Sequence, residues 1–492
     1  MPYSPDSRWT ALGVLSATGL MTILDGSIVT VALPTIQRDL GFTPAGLSWM
    51  VNAYLIAFGG LLLLSGRLGD LIGRRTMFMA GNVIFTAASL LAGVAGGPGM
   101  LITARFLQGV GSAMASAVVL GILVTLFTEA RERAKAIAIF SSTGAAGASL
   151  GQVLGGVLTD AFDWPWIFFI NVPIGVLTIA LAVRALPADR GIGLSAGADI
   201  AGAVLITSGL MLGIYTVVKV EEYGWLAAHT LGLGALALAL IAGFVVRQAT
   251  AGTPLMPLRI LRSRNVVGAN VAQMLSLSGM FAFQVLFVLF IQQVLGYGAL
   301  ESGLALLPAA VGIGSISLFA SARLSARFGV KVVLLSGLAM LTAAMLLLTR
   351  IPTDAGYLTH LLPVMLLIWG GGLVLPALAT LGMSGARESD AGLTSGLFNT
   401  TQQVGMAIGV AVLSTMAAGR TEGLLAAGQD RASALTGGYQ LAFGISAGLL
   451  FTAFVVAAVV LRGPSRRSGG ERSAVTGATA TAEPEAEDAT TS

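Results

Sequence analysis

The chain has no cysteine, two histidines and only 10% charged residues among 492. Without cysteine there is no disulfide framework, no thiolate metal cluster and no thiol nucleophile. His229 and His360 stand alone near the ends of apolar stretches, where they read as interfacial rather than catalytic, and neither a metal site nor a cofactor is expected. A soluble protein carries about 25% charged residues. The shortage here, set against 55% hydrophobic residues, excludes an ordinary water-soluble enzyme. No Walker A sequence occurs, and GISAG (444–448) fits G-x-S-x-G but lies in an apolar stretch without the strand–turn–helix setting of a nucleophile elbow. Asn399-Thr400-Thr401 is a sequon only on paper, because it too lies in an apolar run. The net charge of +4 carries no sign of nucleic-acid binding, since the basic residues are spread along the chain in short groups between apolar runs.

Those runs are what the sequence has in abundance. Charge-free stretches at 42–66, 76–104, 106–128, 136–159, 164–183, 200–218, 223–246, 265–300, 302–322, 332–349, 355–386, 391–419 and 432–461 are each about 18 residues or longer, enough to cross a hydrocarbon core. Residues 10–33, interrupted only by Asp25, add a fourteenth. This first stretch is too long for a cleaved signal peptide and reads as an anchor. With the N-terminus inside, the inner segments hold 21 of the 27 Lys and Arg residues and the outer segments five, the last being Arg105 within a span. Positive charge marks the cytoplasmic side, so both termini are expected to face the cytoplasm across a plasma membrane.

Asp25 is the one carboxylate well inside any of these segments. A charge at bilayer depth costs about 2.5–3.5 kcal/mol even on insertion scales, so the default reading is a proton or cation site. Taking 10–33 as the span, Asp25 lies roughly 12 Å from its outer end at 1.5 Å per residue. If the fourth span starts near Gly99, Arg105 lies roughly 9 Å deep from the same face. Opposite charges at similar depth can neutralise each other, and the two are expected to interact in one conformation and separate in another.

The chain also repeats itself. GRLGDLIGRR (66–75) aligns without gaps to ARLSARFGVK (322–331), keeping Arg67/Arg323, Leu68/Leu324 and Gly73/Gly329 in register. AGL (45–47) and SGL (302–304) match upstream; Phe140, Gly147 and Gly151 match Phe398, Gly405 and Gly409 downstream. Internal repeats of this kind mark transporter folds. Spans 1–6 and 9–14 form the halves, and spans 7 and 8 form an unpaired hairpin between them. The expected organisation is an N-terminal six-helix bundle (1–190), an inserted hairpin (191–250), a C-terminal six-helix bundle (251–462) and a disordered cytoplasmic tail (463–492).

The loop GRLGDLIGRRTMF resembles the signature loop of the major facilitator superfamily, G-x-L-x-D-x-x-G-R-[KR]. Gly66 and Gly73 permit the tight turn, Asp70 can accept from a helix N-terminus or an arginine, and Arg74 and Arg75 anchor the inner face. In the second copy Ala326 replaces the aspartate, so a charge latch belongs to the first half alone. LDGSIVTVALPTIQRDL (24–40) resembles the first helix of the 14-helix drug:proton antiporters of that superfamily, with Pro34 expected to end the helix at the outer surface. Arg105 followed by Gln108 and Gly109 is similar to the fourth-helix pattern, and WPWIFFINVPIG (164–175) is again like these antiporters. GAAGASLGQVLGG (144–156) resembles the antiporter motif, although Gln152 and Gly156 stand where proline is usual; Gly147, Gly151 and Gly155 form a bare stripe for close helix packing. AGLTSGLFNTTQQVGMAIGVAVL (391–413) resembles the thirteenth helix. Polar residues that could face a substrate are Asn52, Tyr54, Gln108, Gln284, Trp369, Asn399, Gln402 and Gln403.

The resemblance implies an all-α fold of fourteen transmembrane helices, two six-helix bundles around a central cavity plus an inserted pair. It further implies a monomeric, proton-coupled exporter of amphipathic drugs or antibiotics, not an enzyme, with Asp25 and Arg105 in coupling and the Asp70 loop as an inner gate. A single intramembrane carboxylate suits a neutral, monocationic or zwitterionic substrate better than a dication. Movement of a specific lipid, siderophore or metabolite, or a sensor without transport, would leave much the same sequence pattern.

Overall fold

In hydrocarbon a peptide group has no water to bond, so each apolar run must close its hydrogen bonds within itself, as helix. The computed structural model describes residues 5–189, 191, 193, 199–252, 254, 258–384 and 391–462; the tail expected to be disordered lies outside them. Among the described residues there is no strand, and fourteen long helices follow in order. They are α1 (Pro5–Leu40), α2 (Pro44–Ile72), α3 (Arg74–Gly93), α4 (Pro98–Leu126), α5 (Ala130–Phe162), α6 (Trp166–Ala185, with an irregular turn at Ile170) and α7 (Ile200–Val218). The others are α8 (Ala228–Thr250), α9 (Arg264–Gln293), α10 (Ala299–Phe328), α11 (Val330–Leu348), α12 (Tyr357–Gly382), α13 (Ala391–Ala426) and α14 (Arg431–Val460). Twelve are long and apolar enough to cross a membrane by length and composition; α2 and α5, of 29 and 33 residues, complete the set.

Helix ends follow local chemistry. Thr43 caps α2 by accepting from the Gly46 N–H at 3.0 Å, with Pro44 at the first helical position, and Asp430 caps α14 through the Ser433 N–H at 3.0 Å. The turns α2–α3 and α10–α11 pass through Gly73 at φ +106° and Gly329 at φ +91°, a region closed to most side chains, which explains why the repeat keeps glycine there. Pro34 does not end α1. The helix continues to Leu40, because the proline forfeits only one hydrogen bond and Arg38 Nε donates to its carbonyl at 3.4 Å. Nor do charges end α13, which runs on through Arg420 and Glu422.

Packing repeats between the halves. α1 lies on α5 and α3 on α4, as α9 lies on α13 and α11 on α12. The crossings are glycine contacts: a Cβ at Gly147 or Gly151 would meet the carbonyl oxygens of Leu20 or Leu24, and one at Gly405 or Gly409 would meet those of Met274 or Ser278. Gly81 and Gly111 approach each other's carbonyls, as do Gly337 and Gly370. Between the halves, α2 packs on α13 and α5 on α10. The α7–α8 hairpin sits against α2, where Thr207 donates to the Gly60 carbonyl at 2.9 Å, and α7 also touches α13. Its open end is tied by Asp199, which caps α7 and accepts from Arg247 Nε at 3.0 Å and Gln248 Nε2 at 2.7 Å.

Candidate functional site

Asp25 is fully buried, and its carboxylate accepts three side-chain hydrogen bonds. Arg105 Nη1 reaches Oδ2 at 2.5 Å, while Gln108 Nε2 at 3.1 Å and Asn171 Nδ2 at 2.9 Å share Oδ1. The i, i+3 spacing of Arg105 and Gln108 puts both on one face of α4, and Arg105 Nη1 also donates to Gln108 Oε1 at 2.8 Å. Gln108 Nε2 further donates to Ser89 Oγ at 2.8 Å, whose own proton goes to the Phe85 carbonyl. From α2, the Tyr54 ring lies 4.4 Å from the guanidinium carbon, and its hydroxyl donates to Ser112 Oγ at 3.1 Å. Side chains from α1, α2, α3, α4 and α6 thus surround one ion pair.

Desolvating two charges costs several kcal/mol per ion unless attraction and further hydrogen bonds offset it. The three donors on Asp25 and the aromatic face on Arg105 supply those offsets. Satisfaction is nevertheless incomplete: Arg105 Nε, Asn171 Oδ1 and both polar side-chain atoms of Asn52 are buried with no hydrogen-bond partner. Native proteins leave few such groups unpaired, which sets Arg105, Asn171 and Asn52 apart from the satisfied polar groups around them.

Arg105 also reaches a cavity of about 410 Å³ between the halves, within the range of small-molecule sites. Its walls come from α1, α2, α4 and α5 on one side and α9, α10, α12 and α13 on the other; Phe58, Met280, Phe281 and Met406 give it apolar surface, Tyr54, Gln152, Gln284, Gln402 and Gln403 its polar points. Val51 lies in the wall of both this cavity and a larger one of about 970 Å³ toward the C-terminal ends of α1, α9 and α13.

Of the polar candidates, Tyr54, Gln284, Gln402 and Gln403 line the central cavity. Gln108 does not, because its amide is consumed in the charge cluster, and Asn52 is buried within α2 away from the lining. Trp369 turns into the second half, where its Nε1–H needs an acceptor and finds the Pro308 carbonyl at 2.9 Å over Gly312. Asn399 is exposed near the N-terminal end of α13.

The family model described as Major Facilitator Superfamily matches residues 15–410. The chain belongs to the major facilitator superfamily. Puromycin resistance protein pur8 of Streptomyces alboniger is 36% identical over 466 residues, 93% of this chain and 92% of that protein. Cephamycin export protein CmcT of Amycolatopsis lactamdurans is 38% identical over 418 residues, 84% of this chain and 86% of that one. Among solved structures, the POT family transporter PepTSo superposes with a TM-score of 0.66 over 93% of this chain and 98% of its own, at 16% identity, a likeness of fold alone.

In this facilitator the inner signature loop is organised by a residue the sequence did not single out. Asp189 accepts from the backbone N–H groups of Arg74 at 2.5 Å and Arg75 at 3.1 Å, capping the positive N-terminus of α3. A helix-terminal acceptor was expected of Asp70, whose side chain lies outside the described residues. Arg74 Nη1 donates to the Gly121 carbonyl at 3.0 Å and Thr125 at 3.3 Å, and Arg75 Nη2 to the Val183 carbonyl at 2.6 Å. Gly66 faces Ala117 of α4 at 3.9 Å. The stripe Gly147, Gly151, Gly155 faces α1, whereas Gly156 faces the backbone of Leu300 across the α5–α10 seam. Asn171, Ser89 and Asp189 were missed; only Asn171 had a visible signal, as a lone amide within the apolar run FFINVPIG.

Proposed function

We propose that this facilitator exports amphipathic small molecules, drugs or antibiotics, from the cytoplasm by alternating access, in exchange for inward-moving protons, with both termini cytoplasmic. The observation that carries the reading is the buried Asp25–Arg105 pair at the wall of the cavity between the two halves. The resistance and export functions named for pur8 and CmcT support the direction, and the inward bias of Lys and Arg supports the orientation.

Ionised Asp25 holds the Arg105 head group. A proton on the carboxylate removes the charge and one acceptor, releasing the guanidinium from its place beside the cavity. The groups facing Asp25 are Arg105 and Gln108 from α4 and Asn171 from α6; among the described residues no second carboxylate shares the proton. A membrane potential supplies about 2.3 kcal/mol per proton per 100 mV. At tenfold per 1.4 kcal/mol, one proton supports roughly tenfold to hundredfold accumulation of an uncharged substrate. The Gly73–Asp189 turn, together with Asp70, would hold the inner ends of α2 and α3 in one arrangement during half of the cycle.

The test is export of a fluorescent amphipath from energised cells expressing wild type or Asp25→Asn at equal membrane levels, with and without an uncoupler. Uncoupler-sensitive export that is lost in Asp25→Asn is expected. Export unchanged by the substitution would place coupling elsewhere and overturn the role given to Asp25.

A further inference from the structure

Arg105 is the one charged side chain among the described residues lining the central cavity. Asp25 does not line it: both carboxylate oxygens turn into the helix wall and are occupied by Arg105, Gln108 and Asn171. An organic cation in the cavity would therefore meet a guanidinium and no free carboxylate. Three buried side-chain atoms of the lining residues have no hydrogen-bond partner. Arg105 Nε–H is a donor without an acceptor, and Gln152 Oε1 and Gln403 Oε1 are buried acceptors without donors. Buried unpaired groups reject ligands that cannot pair them far more strongly than an apolar wall rejects a misfit.

The two glutamines are also fixed in a telling place. A Cβ on Gly303 of α10 would come within 2.5 Å of the Gln152 carbonyl oxygen, and one on Gly59 of α2 within 2.6 Å of Gln403 Cβ. Each glutamine is thus rooted at one of the two seams where the halves touch, Gln152 by its main chain where α5 meets α10 and Gln403 by its Cβ where α2 meets α13. The donor, by contrast, is held by the proton-sensitive pair.

We infer that the cavity selects uncharged amphipaths that present a carbonyl-type acceptor to Arg105 and N–H or O–H donors to Gln152 and Gln403, and that it discriminates against organic cations. This rests on the export reading above and narrows it, since charge state had been left open. It also gives Asp25 a positioning role toward the ligand: ionised, it fixes Arg105 for the acceptor; protonated, it lets the donor go, while parting of the seams carries the two acceptors away. Substrate and proton then exclude each other without the substrate bearing any charge.

The test uses the full-length protein in nanodiscs and one aromatic fluorophore carrying, on the same short arm, a primary carboxamide, a trimethylammonium or a carboxylate. The carboxamide is expected to bind about tenfold tighter than the ammonium, the equivalent of a hydrogen bond at the upper end of its net value. Gln152→Leu and Gln403→Leu should each loosen the carboxamide by about threefold to tenfold and leave the ammonium unchanged. Gln152→Glu and Gln403→Glu, which keep shape and polarity, should reverse the preference toward the ammonium, a gain that misfolding cannot mimic. An ammonium bound as tightly as the carboxamide by wild type, or glutamine variants without effect, overturns the inference. In energised cells, ammonium exported in preference to carboxamide overturns it while leaving the export reading standing, and no export of any of the three overturns both.

Discussion

The glycine stripe of α5 makes a graded prediction about the distance on which the charge cluster depends. A Cβ at Gly147 would lie 3.2 Å from Ile23 and the Leu20 carbonyl oxygen, tight but able to give. At Gly151 it would lie 2.8 Å from Ser27 Cβ and 2.9 Å from the Leu24 carbonyl oxygen, and at Gly155 2.8 Å from the Ile28 carbonyl oxygen. These are backbone and Cβ atoms that no rotamer change can move aside. Bringing 2.8 Å up to the 3.4 Å of ordinary contact asks α1 and α5 to part by 3.4 − 2.8 = 0.6 Å. Asp25 lies between Leu24 and Ser27, so that displacement falls on the 2.5 Å contact with Arg105, stretching it to about 3.1 Å, still a hydrogen bond but a weaker one. Overpacking of this kind costs about 1–3 kcal/mol. Gly147→Ala should therefore be mild, Gly151→Ala and Gly155→Ala clearly impaired, and Gly151→Leu inactive. The assay is export rate per folded molecule, with folded protein counted by fluorescence-detected size exclusion and stability by thermal unfolding in detergent. Gly409→Ala is the control. It is at least as crowded, its Cβ meeting the Ser278 carbonyl oxygen and backbone, but it lies in the half where no ion pair occurs among the described residues, so it should lower stability without a matching loss of coupling. Equal effects of Gly147→Ala and Gly151→Ala, or a silent Gly151→Leu, would refute the reasoning.

Other expectations follow from single contacts. Tyr54→Phe keeps the ring under Arg105 and loses only the hydroxyl's bond to Ser112, so export should fall little; Tyr54→Leu removes the cation–π contact, worth about 0.5–2 kcal/mol, and should cost roughly threefold to thirtyfold in export rate. At Asp199 burial acts to raise the carboxyl, but the Gly202 N–H, Gln248 and Arg247 together hold it below the ordinary carboxylate range. A depressed folded-state value means the stabilisation is fully present above the unfolded value of about 3.9 and is lost as pH falls through the folded value. Thermal unfolding of wild type should accordingly show the Asp199 contribution at neutral pH and lose it only in strong acid, and Asp199→Asn should remove that acid-sensitive component without changing substrate affinity.

What could be read from the chain alone was whatever hydrocarbon makes obligatory. Charge-free runs had to be helices, and Gly73 and Gly329 had to be glycine because their turns need positive φ. Asp25 and Arg105 could be paired in advance because two buried charges at equal depth have few other places to go. The parts that stayed hidden depend on rotation about a helix axis and on contacts distant in sequence. Trp369 and Gln402 are equally polar in an apolar context, but one spends its donor on Pro308 within the second half and the other faces the cavity. Asp189 reaches Arg74 across 115 positions of chain, with no local pattern to announce it. Pro34 was misread because a proline removes one hydrogen bond, which is too little to stop a helix that membrane packing holds on both sides.

The internal repeat sharpens the division of labour. The glycine contacts align α1 with α9 at an offset of 274 − 20 = 254 and α4 with α12 at 370 − 111 = 259. Asp25 then corresponds to Gly279 and Arg105 to Val364, so the second half kept the crossings and carries neither charge. If the first half alone senses the proton, as proposed above, the second has only to supply surface that the ligand leaves when the seams part. The first half holds the ion pair, and Gln402 and Gln403 of α13 stand across the cavity from it. A second pair at the corresponding sites would sit in the hydrophobic core of the second half, where Val364 is now 1% exposed, and would add desolvation cost without a cavity wall to act on. On the coupling proposed above, the asymmetry confines the buried charges to the half whose ion pair reaches the cavity wall.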